Sequence, residues 1–313
     1  MAWTTADLPD LGGRVAVVTG ANSGLGLEVT RELARHGATV VMAVRDVAKA
    51  ERAAASIRDE IADATLDVRA LDLSSLDSVR STAAAIIADH SQLHMLINNA
   101  GVMAVPERRT ADGFEMQLGT NHLGHFVLTA LLAPALVRSA AGRVVSVTST
   151  ARHAGRPVDP ANPHLEGRYG PWRAYGQSKL ANLHFAVELH RRLQATDAPV
   201  ASLVAHPGFA NTGLQATTAS ESGGPSARFF HAAVQRVGMS AADGALPLLR
   251  AAADPAARSG ELYAPRFVNW GPPVRRPLLG RSTAEGPARA LWEMSERQTG
   301  TTFDVDALTA PAS

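Results

Sequence analysis

The sequence predicts a three-layer α/β/α fold of the doubly wound (Rossmann) kind, built on a seven-stranded, mainly parallel sheet. Three observations predict it. Short, mainly apolar runs with β-branched residues recur at 15–18, 39–44, 66–71, 93–97, 143–147, 200–205 and 262–264. Strands of that composition are buried on both faces, as in a parallel sheet covered by helices. Longer amphipathic stretches with helical periodicity separate them, at 27–36, 49–61, 76–90, 114–138, 175–194 and 241–253,. Finally, a glycine-rich turn joins the first strand to the first helix. Right-handed crossovers then leave any ligand at the carboxyl ends of the strands.

That first turn runs Thr19-Gly20-Ala21-Asn22-Ser23-Gly24-Leu25-Gly26. Such a turn lets backbone N–H groups and a helix N-terminus approach a pyrophosphate. Its spacing, Gly-x-x-x-Gly-x-Gly, differs from G-x-G-x-x-G and lacks the G-K-[ST] of a nucleotide triphosphate loop. By itself it reads equally well as a glycine turn capping a helix. Two segments interrupt the strand–helix alternation and read as loops, one at 152–173 rich in Pro, Gly and Arg, the other at 212–225 rich in Ser, Thr and Gly,. Both leave strands on the side where substrate binds. One domain is expected over residues 1–313, with variable loops at 152–173 and 212–240,. From residue 280 the tail holds one expected helix, 288–298, and a loose end.

Composition narrows the function. A hydrophobic fraction of 46% with 19% charged residues supports a sizeable core and argues against disorder,. Thirty basic and 29 acidic side chains, mixed along the chain, give no electrostatic footprint for a nucleic acid,. The chain has no cysteine, so disulfides, thiolate chemistry and sulfur-ligated metals are excluded,. The longest apolar stretch, 126–137, is interrupted by Thr129 and Pro134 and is too short to span a bilayer,. Residues 1–12 carry two acids and a proline, unlike a secretion signal,. The expectation is a cytoplasmic protein with a small-molecule ligand and no membrane partner.

Polar or turn residues follow successive strands where a ligand would lie: Asp72, with Leu73 beside it, after the third, Asn98, Asn99, Ala100 and Gly101 after the fourth, and His206, Pro207 and Gly208 after the sixth,. The fifth ends in Thr148, Ser149 and Thr150. A hydroxyl there can bond a carbonyl oxygen that gains negative charge during hydride addition, or it can bond local backbone. Asn121 falls within a predicted helix, a position of poor propensity that needs a reason,. Tyr175 and Lys179, four apart, share a helix face,. An adjacent ammonium lowers a tyrosine pKa toward the range useful for proton transfer, although the spacing alone also fits a plain surface helix.

Taken together, and in this order along the chain, these motifs resemble the short-chain dehydrogenase/reductase family, in the branch that includes retinol dehydrogenases. The resemblance is strong over residues 12–212, and Tyr-Gly-Gln-Ser-Lys-Leu-Ala-Asn-Leu at 175–183 is especially close to that branch. It implies that Tyr175 is the general acid/base, that Ser149 positions the substrate oxygen, and that Lys179 binds the nicotinamide ribose. It implies that Asn121 holds a water in a proton relay. Thr19, Gly20, Asn22, Ser23, Gly24, Leu25 and Gly26 would frame the pyrophosphate, with Asp72 and Leu73 at the adenine. Asn98 to Gly101 would lie along the adenosine, and Pro207, Gly208 and Thr212 at the nicotinamide. No metal is required. Ser149 and Tyr175 are 26 positions apart, longer than is usual in the broader family. Tyr169 is a rival with Arg173, not a lysine, four residues later.

At the end of the second strand a carboxylate selects NAD and an arginine accommodates a 2′-phosphate. The sequence there is Val44-Arg45-Asp46, with Arg45 where the resemblance implies NADP(H) and Asp46 placed to cap the next helix,. Phe209, Leu214, Phe229 and Phe230 either wall an apolar substrate site or pack into the core. The leading expectation is an NADP(H)-dependent oxidoreductase interconverting a carbonyl and an alcohol. Alternatives are an NADP(H)-sensing binding protein, or a lyase or epimerase that uses nicotinamide transiently. By resemblance, helices 114–138 and 175–194 would form a homodimer.

Overall fold

The computed structural model describes residues 2–210, 238–278 and 280–308. Its sheet runs β1 (Val15–Thr19), β2 (Thr39–Val44), β3 (Leu66–Ala70), β4 (Met95–Asn98), β5 (Gly142–Val147), β6 (Val200–Ala205), β7 (Leu262–Pro265) and β8 (Pro273–Arg276). The spatial order is 3-2-1-4-5-6-7-8, with every pairing parallel except the last. The reversal of order between β1 and β4 opens a crevice at the carboxyl edge.

The apolar strands alternate sides, as side chains in a pleat must. Val17, Val41, Leu96 and Val144 face a core closed by α3 (Leu76–Asp89), α4 (Met116–Arg138), α5 (Pro171–Ala195) and α7 (Glu285–Thr299). Val18, Met42, Ile97 and Val145 face the core beneath α1 (Gly24–Arg35), α2 (Val47–Glu60) and α6 (Ala241–Ala253). Seven strands were expected, and β8 is the eighth. A four-residue segment opening on proline and carrying two arginines lacks the apolar run of a central strand; it is an antiparallel edge, where such residues are tolerated,.

Helix α4 starts at Met116 rather than 114, because the carboxylate of Glu115 caps it by accepting the N–H groups of Gln117 and Leu118 at 2.8 and 2.7 Å. It widens into a π turn over Gly119–Leu123, which contains Asn121. The whole helix is long and apolar enough to cross a membrane by composition, longer than the interrupted run at 126–137 suggests, and it is mostly buried within the fold. Helix α5 begins four residues before Tyr175, with Pro171 at its first position, and so claims the end of the predicted loop 152–173,. A 3-10 turn, Thr150–His153, occupies the loop's beginning.

The tail is not loose where it is described. Phe303 and Val305 are buried, and the Phe303 ring stacks on Trp292 with centroids 5.0 Å apart. The predicted loop at 212–225, together with Thr212, Leu214, Phe229 and Phe230, lies outside the described residues.

Candidate active site

A cleft of about 720 Å³ opens at the carboxyl edge, and both ends of the predicted machinery line it. On one side are Gly20, Asn22, Ser23, Gly24 and Leu25 of the first turn, with Arg45, Asp72 and Leu73 beyond. Asn99, Ala100 and Gly101 form the floor. At the other end are Ser149, Tyr175, Lys179, Pro207 and Gly208.

The turn fits a phosphate. Gly20 has φ +68°, a left-handed conformation that favours glycine, and a Cβ on Gly26 would collide with the Gly20 carbonyl,. Ser23 precedes α1 without a side-chain cap, and the first turn of that helix holds no acid. Its N–H groups therefore present uncompensated positive polarity to the cleft. A Cβ on Gly101 would stand 2.8 Å from Asn121 Oδ1, so glycine keeps the floor open there as well.

Four predicted contacts sit behind the cleft wall instead. Thr19 is fully buried, and its hydroxyl accepts the N–H groups of Asn99 and Ala100 at 2.9 Å each, joining the ends of β1 and β4. Gly26 packs against Gly20 and supplies the close approach of helix to strand. Asn98 points away and donates to Thr129 at 2.9 Å. Asn121 has its side-chain amide engaged: Oδ1 accepts Val102 N–H at 2.7 Å, while Nδ2 donates to the Val102 carbonyl and the Ser178 hydroxyl, both at 2.9 Å. Both Nδ2 hydrogens are thus used, and Oδ1 already holds one donor,. Each of these residues shapes the cleft through another.

At the acid/base end, Ser149 and Tyr175 line the cleft together, and the Ser149 side chain holds the phenol lower than burial alone would. Thr148 is unavailable for that part, since its buried hydroxyl donates to the Lys179 carbonyl at 2.7 Å. Tyr169 is engaged elsewhere, donating to the Val105 carbonyl at 2.7 Å. Lys179 Nζ lies 5.8 Å from the Tyr175 ring centroid and reaches the Val147 carbonyl at 3.4 Å. Burial pushes the Tyr175 phenol up to about 12, with Ser149 pulling the other way, and pushes Lys179 down to about 8. The expected lowering of the tyrosine by its ammonium neighbour is not seen: loss of water around the phenol dominates, and Ser149 is what opposes it,.

The sequence also left residues unnamed. Lys49, in the first turn of α2, lines the cleft as Arg45 does, while Asp46 caps α2 as expected by accepting Lys49 N–H at 2.9 Å and also lines the cleft. Met103, Val105 and Trp172 supply apolar wall near the tyrosine. The Trp172 ring meets that of Tyr175 edge-on, at 6.1 Å and 80°. Its place three residues before Tyr175 on a helix was a usable signal; nothing in the sequence marks Met103.

A family model described as short chain dehydrogenase matches residues 14–223. The chain belongs to that family. Human retinol dehydrogenase 12 is 49% identical over 211 residues, covering 67% of this chain and 65% of its own length, which places the chain in the retinol dehydrogenase-like branch. The match thus spans slightly under two thirds of that relative. The crystal structure of an uncharacterized protein from Mycobacterium paratuberculosis is 43% identical, covers 97% of this chain and all of its own, and superposes with a TM-score of 0.80. A short chain dehydrogenase from Shigella flexneri complexed with NADP is 26% identical, covers 80% of this chain and 95% of its own, with a TM-score of 0.62.

Proposed function

We propose that the protein is an NADP(H)-dependent oxidoreductase that interconverts a lipophilic aldehyde or ketone with its alcohol. The observation that carries this reading is the convergence of Ser149, Tyr175 and Lys179 in the same cleft as the glycine turn. The turn and the α1 N-terminus would hold the pyrophosphate of the dinucleotide, and Lys179 its nicotinamide ribose. Bound there, the cofactor supplies or accepts a hydride.

The protein's own residues manage the proton and the oxygen. Ser149 orients the substrate oxygen toward the phenol, and in reduction Tyr175 delivers the proton that neutralises the oxygen as hydride reaches carbon. In oxidation Tyr175 takes that proton back. A phenol held near 12 is a poor base but stays protonated and ready to donate at neutral pH, so the cleft is set for the reductive direction,.

Arg45 and Lys49 supply cations where a 2′-phosphate would sit, while the Asp46 carboxylate is engaged as a helix cap. This favours NADP(H), as does the NADP complex of the Shigella flexneri relative. The apolar wall of Met103, Val105, Trp172 and Phe209 favours an extended hydrophobic substrate, in keeping with the name of the human relative. The test is nicotinamide absorbance during incubation with a panel of aliphatic and polyene aldehydes and ketones. Consumption of NADPH, at a rate several-fold above that of NADH, is the expected result. No net consumption with any carbonyl, despite binding of NADPH, would favour a sensing protein instead.

A further inference from the structure

The π turn of α4 carries a second feature besides Asn121. His125, two residues past the turn, is buried and uses both ring nitrogens. Nδ1 lies 3.0 Å from the Asn121 main-chain carbonyl, and Nε2 lies 2.9 Å from Thr19 Oγ1. A carbonyl oxygen only accepts, so Nδ1 must carry the hydrogen. In a neutral ring Nε2 is then the acceptor, and the Thr19 hydroxyl donates to it. The Thr19 oxygen accepts Asn99 N–H and Ala100 N–H at 2.9 Å each, which fills both its lone pairs, and its one hydrogen goes to Nε2 at 2.9 Å in preference to the more distant Ile97 carbonyl at 3.3 Å,. Burial holds the ring far below its ordinary pKa, at about 4, which keeps it neutral. His122, one turn earlier, differs: its Nε2 meets the Ser295 hydroxyl at 2.8 Å and its Nδ1 has no partner among the described residues.

The two ends of this chain of bonds reach different halves of the cleft. Thr19 sets residues 99–101, which form the floor. Asn121 sets Val102 and bonds Ser178, the residue next to Lys179. We propose that His125, as its Nδ1–H tautomer, is a positioning residue that couples dinucleotide binding to the acid/base pair by tying Thr19 to the Asn121 carbonyl. The coupling rests on the reading of the cleft as a nicotinamide dinucleotide site.

The test uses the full-length protein. In ¹⁵N imidazole spectra, the resonance lost in His125→Phe should be the Nδ1–H tautomer at neutral pH; an Nε2–H tautomer overturns the proposal. In His125→Phe, NADPH should bind about tenfold more weakly and kcat should fall about tenfold, with substrate KM within about twofold. His125→Gln retains an acceptor near Nε2 and should recover binding, whereas His125→Asn retains a donor near Nδ1 and should recover kcat. A folded phenylalanine variant with unchanged Kd and kcat, or Gln and Asn variants that behave alike, overturns it too. If His125→Phe does not fold, the Asn and Gln pair decides, with their own lost resonances giving the tautomer. Wild-type protein that binds no dinucleotide removes the reading of the cleft and this coupling together; the other failures leave that reading standing.

Discussion

The glycine-turn side of the cleft and the Trp172 side are built on different plans. The turn side is backbone: a left-handed Gly20, a Gly26 that admits no side chain, and the free N–H groups of one helix end, all within eight consecutive residues. The Trp172 side is made of side chains that arrive from separate segments, Met103 and Val105 after β4, Trp172 on α5 and Phe209 after β6. A site for an invariant phosphate can be encoded locally, because backbone geometry suffices. A site for one particular substrate needs tertiary convergence, so its residues can vary without disturbing the turn.

The largest expected effect lies where the two plans meet. Tyr175→Phe should lower kcat by about 10³-fold while leaving NADPH affinity within about twofold, since the hydroxyl is used in proton transfer and not in holding the phosphates. Titration calorimetry beside steady-state assays checks both halves. Equal loss of binding and turnover would mean that the division between the two sides is misplaced. The Lys179 ammonium sharpens the same point through pH. In kcat/KM, which reports the free enzyme, reduction should fall as pH rises above about 8, where Lys179 loses its charge,.

Stability should move the opposite way over that window. The folded-state pKa of Lys179 is below its ordinary 10.5, so between about 8 and 10.5 the unfolded chain binds the extra proton. This term therefore makes unfolding harder as pH rises. Denaturant melts at two pH values, with Lys179→Met as the control that lacks the term, separate this contribution from other titrations.

The second effect belongs to the turn side alone. Arg45→Ala should weaken NADPH binding by about 10- to 100-fold, the value of a charged hydrogen bond to phosphate, and change NADH by less than about twofold. Equal losses for both dinucleotides would mean that Arg45 does not face the 2′ position. Lys49→Ala should show the same selectivity at smaller magnitude.

How much of this was legible follows from the same contrast. The turn, the strand-end residues and the Tyr175–Lys179 pair could be read because each is a short-range pattern on an element whose period was clear. Less legible was what Thr19, Asn98 and Asn121 do, since the sequence marks them as special but not as lying behind the wall; their partners are 80, 31 and 19 residues away. Strand β8 and the packed tail were missed because their stability comes from partners. Among the described residues β8 pairs only with β7, and Phe303 is held by Trp292 rather than by any local periodicity.

The smallest expected effect tests the Trp172 side. Trp172 is 45% exposed although it is large and aromatic, and it borders both the cleft and the Tyr175 ring. Apolar area left open beside a reacting group is area that a substrate can cover, at about 25 cal/mol per Å². Removing the indole should therefore penalise only substrates long enough to reach it. For Trp172→Ala, kcat/KM should drop about tenfold with an extended apolar aldehyde and about twofold or less with a short one, while NADPH affinity holds. A uniform drop across substrate lengths would show that the ring supports Tyr175 through their edge contact, and the boundary between the cleft's two building plans would then run on the far side of Trp172.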